Sequence, residues 1–385
     1  MRVLIAPDSF KGSLSSHQVG ELIRDVWISH FKGDDVMTVS VADGGEGTVE
    51  ALEQSMGGRR VTCTVNDPLG RKIEADYVII EDTATMEMAS ASGLSHLNRN
   101  EMDPLKTTTK GTGELILNAL DKGIRKIAIG IGGSATNDCG LGMLEVLGAK
   151  FYQGDRLMRF KGAKNLSQIT KIDFTGMDTR IGETEFVVMC DVANPLTGVS
   201  GATYVYGPQK GLDTGKLHEI DAAMTAVGRL LNAYAGFDAC SREGSGAAGG
   251  LGAAFLAVLG AELKSGIDVV LDRMHFDDLL SDVDLVITGE GRIDDQTKHG
   301  KVAIGVSRRA KKLNIPVIAI GGSVTKEADE LYEYGFSAIV STVTEPTTLE
   351  DLIRDSKVNL ISSVDRTCRL IEIGRHLKFE RGCLR

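Results

Sequence analysis

Val283-Asp284-Leu285-Val286-Ile287-Thr288-Gly289-Glu290-Gly291-Arg292-Ile293-Asp294-Asp295-Gln296-Thr297 is the stretch on which the fold class turns. The apolar run 283–287 predicts a short buried strand, and 288–297 predicts a loop rich in glycine and carboxylates at its carboxyl end. Open α/β sheets bind ligands at that end of their strands. The chain opens in the same way: residues 3–6 form an apolar run, and Pro7-Asp8-Ser9-Phe10-Lys11-Gly12-Ser13 follows. Two such loops, far apart in sequence, predict one shared phosphate or metal site and hence an enzyme.

Working outward, Ser15-Ser16-His17-Gln18 offers a capping box, and Val19, Leu22, Ile23, Val26 and Trp27 recur at helical spacing. A second strand is expected at 36–41, ending in Ala42-Asp43-Gly44-Gly45-Glu46-Gly47-Thr48, with a helix after it. The rhythm returns late in the chain, with strands at 283–287, 316–320 and 337–341 and helices at about 300–312 and 325–334. A closing helix is capped by Thr347 and Glu350, and helical spacing continues, with room for a break, through Leu360, Ile361, Val364, Cys368 and Ile371. These segments predict a five-stranded parallel sheet of the flavodoxin-like order 2-1-3-4-5, with a crevice between strands one and three. Residues 1–60 plus 282–385 would form this discontinuous domain. Residues 61–281 would form a second, inserted α/β domain, with strands at 71–80, 83–88, 126–131 and 185–190 and the active site in the cleft between the two.

A chain of 385 residues exceeds one ordinary core, in keeping with two domains. Its 43 basic and 53 acidic residues give a net charge of −10, which argues against nucleic acid as a partner. The basic run Arg308-Arg309-Ala310-Lys311-Lys312 reads as a solvated helix face. Cys63, Cys139, Cys190, Cys240, Cys368 and Cys383 have no C-x-x-C spacing, so neither a disulfide framework nor a zinc knuckle is implied. Without a secretory segment or an apolar run of about 18 residues, a soluble cytoplasmic protein is expected.

Four loops carry the chemistry, each with a plainer reading beside it. Gly132-Gly133-Ser134-Ala135-Thr136-Asn137-Asp138 follows a strand and precedes a helix, which suits a phosphate cradle or a tight turn with an Asn-Asp cap. The glycine run 244–252 serves either a phosphate or close helix packing. Asp191, at a strand end in Cys190-Asp191-Val192-Ala193-Asn194-Pro195-Leu196, is a general base or the start of an Asx turn. Lys210, in Pro208-Gln209-Lys210-Gly211, taken alone reads as part of a solvent-facing turn, and Lys11 is either surface or a point charge for an anion. Asp43, Glu46, Glu290, Asp294 and Asp295 supply oxygen donors of the kind Mg²⁺ accepts, although each alone reads as a cap or turn residue.

No G-x-x-x-x-G-K-[ST] loop is present; the nearest, ending in Gly300-Lys301, has Asp295 in place of the first glycine and Val302 in place of the hydroxyl. Protein-kinase signatures are also absent, as is G-x-G-x-x-G after the first strand, which weakens a nicotinamide dehydrogenase reading. Taken together, the loops at 6–13, 42–48, 132–138, 190–196, 207–211 and 288–297 resemble the bacterial type I glycerate kinases over nearly the whole chain. Cys139 departs from the glycine expected in that family.

The resemblance implies transfer of the γ-phosphoryl of ATP to the 2-hydroxyl of D-glycerate, giving 2-phosphoglycerate, with Mg²⁺ as cofactor. It implies Asp191 as base or orienter, with Lys11 near the glycerate carboxylate or the moving phosphoryl. Gly132, Gly133, Ser134, Asn137, Gly289 and Gly291 would bind nucleotide, and Asp8, Ser9, Lys11, Ser13, Lys210 and Arg292 the substrate. Asp43, Glu290 and Asp295 would hold metal directly or through water. A monomer or homodimer that closes on its substrates is expected. The rival readings are a kinase for another small hydroxy acid or polyol, the same kinase giving 3-phosphoglycerate, and a non-catalytic sensor of a phosphorylated metabolite.

Overall fold

The computed structural model describes residues 1–298 and 300–382; Cys383 lies outside the described residues. The chain is mixed α/β with parallel strands, and it divides into two compact units. One comprises Met1–Asp43, Glu50–Ser55 and the described residues from Ile267 onward; the other comprises Gly44–Val49 and Met56–Gly266. Thus Gly44–Val49 and residues 56–60 group with the second unit, and 267–281 with the first.

The first unit holds a five-stranded parallel sheet. From one edge its strands are Ala338–Ser341, Val317–Val324, Leu285–Ile293, Arg2–Ile5 and Asp35–Thr38. Val3, Leu4 and Ile5 are fully buried, as befits a strand with both faces covered. Helix Ser16–His30 starts at the Ser15–Gln18 capping box and buries Val19, Ile23 and Trp27 on one face. That face shares a core with Leu360, Val364 and Cys368 of helix Ser356–Gly382. Trp27 Nε1 and Arg375 both donate to Asp34, at 3.0 and 2.6 Å, tying the two helices together.

Three details differ from the expectations above. Strand Leu285–Ile293 does not stop at Ile287; it continues through Thr288-Gly289-Glu290-Gly291-Arg292, paired with Val317–Val324 as far as Ile293↔Val324. Glycine makes this possible, because a Cβ at Gly289 would stand 2.2 Å from the Ile320 carbonyl oxygen. Lys326–Tyr334 is 3₁₀ rather than α-helical. The closing segment has the break allowed for it, as helices Leu349–Arg354 and Ser356–Gly382, but its cap is Thr348, whose hydroxyl accepts from Asp351 N, rather than Thr347.

The second unit holds a six-stranded mixed sheet in the order Glu262–Lys264, Glu185–Met189, Lys126–Gly130, Thr83–Glu87, Lys72–Ile80 and Arg59–Asn66. The first four strands are parallel and the last two join antiparallel. A small antiparallel sheet of Arg156–Met158, Lys150–Gln153 and Lys171–Asp173 lies in the same unit. The core is large and apolar, with Tyr77, Met86, Phe151, Phe160 and Phe255 essentially inaccessible. Among the described residues no helix is long and apolar enough to cross a membrane. Cys63, Cys139, Cys190, Cys240 and Cys368 are free thiols.

Candidate active site

In the first unit, the loop after strand Arg2–Ile5 is held to its neighbour by Asp8 N donating to Gly289 O at 2.8 Å. Asp8 therefore stands beside Glu290. Its side chain is buried, and its Oδ1 accepts from Ser9 N at 2.6 Å. Burial pushes the Asp8 carboxyl up to about 7; the Asp43 and Glu290 charges push the same way, and Lys11 and the Ser9 amide push back. Lys11 Nζ lies 3.9 Å from Asp43 Oδ2. Ser13 Oγ donates to Phe10 O at 2.9 Å and so secures the turn itself. Gly291 abuts the Phe10–Lys11 backbone.

Glu290 is held at both oxygens. Oε1 accepts from Thr297 Oγ1 at 2.6 Å, and Oε2 is 3.0 Å from Lys301 Nζ. Burial raises its pKa, while Lys301 and Thr297 oppose the rise. Arg292 Nε pairs with Asp294 at 2.9 Å, and Asp295 pairs with Lys298 three residues on. A cavity of about 290 Å³ opens here, lined on one side by Asp8, Lys11, Glu290, Arg292 and Lys301 and on another by Leu349, Leu352 and Ile353.

Of the expected metal trio, Glu290 is bonded to Lys301 and Thr297 and Asp295 to Lys298, while Asp43 has the Asp8 carboxyl as a neighbour. Among the described residues no group of three or more His, Cys, Asp or Glu side chains is poised around a metal position. Mg²⁺ needs only one or two protein carboxylates when substrate phosphates supply the rest, and the mutual repulsion of Asp8 and Asp43 is what a cation would relieve. The donor set fits.

In the second unit, Gly132 and Gly133 are exposed after strand Lys126–Gly130, and Gly133 takes a left-handed φ of 72°. Ser134 is buried. The helix expected to follow directly begins only at Leu141, and it has six residues, so its dipole does not serve Gly132–Ser134. Asp138 instead ties the segment down, accepting from Thr109 N and Oγ1 at 2.9 Å each, from Gly140 N at 3.0 Å and from Gly142 N at 3.2 Å. Asn137 is fully buried and its Nδ2 donates to Thr203 Oγ1 at 2.9 Å, while its Oδ1 has no partner among the described residues. The 244–252 run packs closely here: a Cβ at Gly249, where φ is 67°, would lie 2.1 Å from Thr136 O.

Lys210 overturns the solvent-facing reading. It is buried, and its Nζ donates to Ser134 Oγ and Thr136 O, both at 2.7 Å. Burial lowers its pKa to about 7, against the pull of Asp138. Asp191 is exposed just beyond strand Glu185–Met189, and its Oδ1 accepts from Gly266 N at 3.1 Å. Two further residues, one in each unit, have functional character. Glu87, at the end of strand Thr83–Glu87, is half-buried and accepts from Val49 N at 2.9 Å, and the amides of Gly47 and Thr48 also bond to it, so it fixes the acidic glycine loop. The strand-end rule would have found it. Lys301 was visible only as part of a failed nucleotide motif.

The sequence profile described as the glycerate kinase family matches residues 3–372. The chain is 44% identical over 362 residues to a glycerate kinase of Bacillus cereus, covering 94% of this chain and 95% of that one. It is 43% identical over 376 residues to a glycerate 2-kinase of Escherichia coli K12, covering 97% and 99%. A crystal structure from Salmonella typhimurium LT2, of a chain provisionally named glycerate kinase 2, matches with a TM-score of 0.86 at 42% identity over 98% of this chain and 99% of that one.

Proposed function

The chain belongs to the glycerate kinase family, and on that premise we propose that it transfers the γ-phosphoryl group of ATP to the 2-hydroxyl of D-glycerate, giving 2-phosphoglycerate and ADP. The carrying observation is the match to a protein named glycerate 2-kinase along almost the whole of both chains. In the same reading the five-stranded unit is flavodoxin-like, the other α/β unit is inserted into it, and the enzyme works in the cytoplasm.

Phosphoryl transfer depends mainly on alignment and charge neutralisation. The bond from the β,γ-bridging oxygen to the γ-phosphorus breaks as the acceptor hydroxyl bonds to that phosphorus, and the hydroxyl proton passes to Asp191. Gly266 N supports this role by fixing the orientation of the Asp191 carboxylate. Lys11 neutralises the carboxylate of the acid or the moving phosphoryl group. The exposed Gly132 and Gly133 offer backbone to phosphate oxygens, and Lys210 holds Ser134 in place beneath them. Asp8 and Asp43 would hold Mg²⁺, which supplies positive charge to the phosphate oxygens.

The test is to incubate the protein with Mg-ATP and D-glycerate and to identify the product by phosphorus NMR, with L-glycerate and no acceptor as controls. A 2-phosphoglycerate signal supports the reading. A 3-phosphoglycerate signal replaces the acceptor hydroxyl, and absence of any product removes the glycerate assignment.

A further inference from the structure

Lys301 stands at the N-cap of helix Val302–Lys312, where its side chain makes no capping bond. This position favours Ser, Thr, Asp or Asn, because their oxygens satisfy free helix amides. A lysine adds positive charge to an end that already carries about half a positive charge from the helix dipole. Helix capping therefore does not explain it. Residues that break a local rule and are held in place by their surroundings mark functional sites.

Lys301 is held in place. Its Nζ is 3.0 Å from Glu290 Oε2 and 3.4 Å from the Arg292 carbonyl oxygen. The two partners are unequally buried: the Glu290 side chain is 4% exposed and that of Lys301 29%. Both residues line the cavity that Lys11 and Arg292 also line, and the lysine is the more exposed of the two. Thr297 fixes the other Glu290 oxygen, so the carboxylate cannot swing away with the lysine.

We propose that Lys301 binds an oxyanion of one of the two substrates in this cavity and that Glu290 is its positioning residue. The oxyanion is either the carboxylate of the hydroxy acid or a phosphate of the nucleotide. This inference rests on the kinase reading above. It assigns Glu290 to orienting a cation rather than to binding metal.

Lys301→Met, Lys301→Arg and Glu290→Gln would be compared with the wild-type protein for kcat, for KM of each substrate, for melting temperature, and for direct binding of ADP and of D-glycerate by calorimetry. Losing a charge-assisted bond predicts a rise of about 10-fold or more in the constants of one ligand for Lys301→Met, alongside a lower melting temperature from the unpaired Glu290 carboxylate. Lys301→Arg should recover most of that loss, and Glu290→Gln should move the same ligand's constants by less. A shift confined to ADP identifies phosphate, and one confined to D-glycerate identifies carboxylate. Constants within twofold for both ligands would overturn the proposal, as would a parallel loss of both. If D-glycerate is not phosphorylated, the kinase reading fails on the activity assay, while ADP binding still decides the role of Lys301.

Discussion

Lys210 donates to Ser134 at 2.7 Å across 76 residues of sequence, and both side chains are buried. An ammonium removed from water beside one hydroxyl and one carbonyl is poorly compensated, which is why its pKa falls to about 7. Between that value and the ordinary 10.5, the unfolded chain carries a proton that the folded chain lacks. Stability due to this group therefore rises with pH across the window, and its deficit is greatest below pH 7. Lys210→Met should flatten that rise. Urea midpoints measured from pH 7 to 10 would check this, and parallel curves for the two proteins would contradict it.

Asp8 titrates with the opposite sign. Its carboxyl is raised from 3.8 to about 7, so between these values the folded state keeps a proton that the unfolded state has lost. Stability due to Asp8 falls as pH rises through that range, and the deficit is complete above 7. Asp8→Asn should melt at a higher temperature than wild type at pH 8 and lose activity. Mg²⁺ without nucleotide should raise the wild-type melting temperature at that pH and leave the variant unmoved. A variant that melts lower than wild type at pH 8 would show that the charge is already compensated in the folded protein.

Asp191→Asn is a clean probe, because the amide oxygen can still accept from Gly266 N. Loss of a general base predicts a fall in kcat/KM of about 10² to 10⁴-fold at unchanged melting temperature. Activity near wild type would remove Asp191 from the proton-transfer step.

Much of the architecture is written in local pattern. The apolar runs around Val3, Ile287 and Ile320 are too hydrophobic for anything but buried strands, and the Ser15–Gln18 box marks its helix start directly. Strand-end chemistry pointed to Asp8, Glu290 and Asp191 for the same reason. Long-range partners were not legible. Gly289-Glu290-Gly291 has poor strand propensity, and only pairing with Val317–Val324 makes it a strand. Nothing near Lys210 in sequence announces Ser134 or Thr136. The small antiparallel sheet leaves little trace in the sequence because Arg156–Met158 and Lys171–Asp173 are strands of only three residues, too short to show an alternating pattern. Asp295 could have been read better, since Lys298 at i+3 was an available partner throughout.

Pairing of Arg2–Ile5 with Leu285–Ile293, Val3 opposite Leu285, sets an order of events at the ribosome. Val3 emerges first and must wait for Leu285 to be translated, roughly 15 to 60 s at ordinary elongation rates. The unit spanning Met56–Gly266 can finish folding during that interval. Meanwhile Val3, Leu4 and Ile5 lack the neighbouring strand that buries them, which makes the nascent amino-terminal segment a natural client for chaperones.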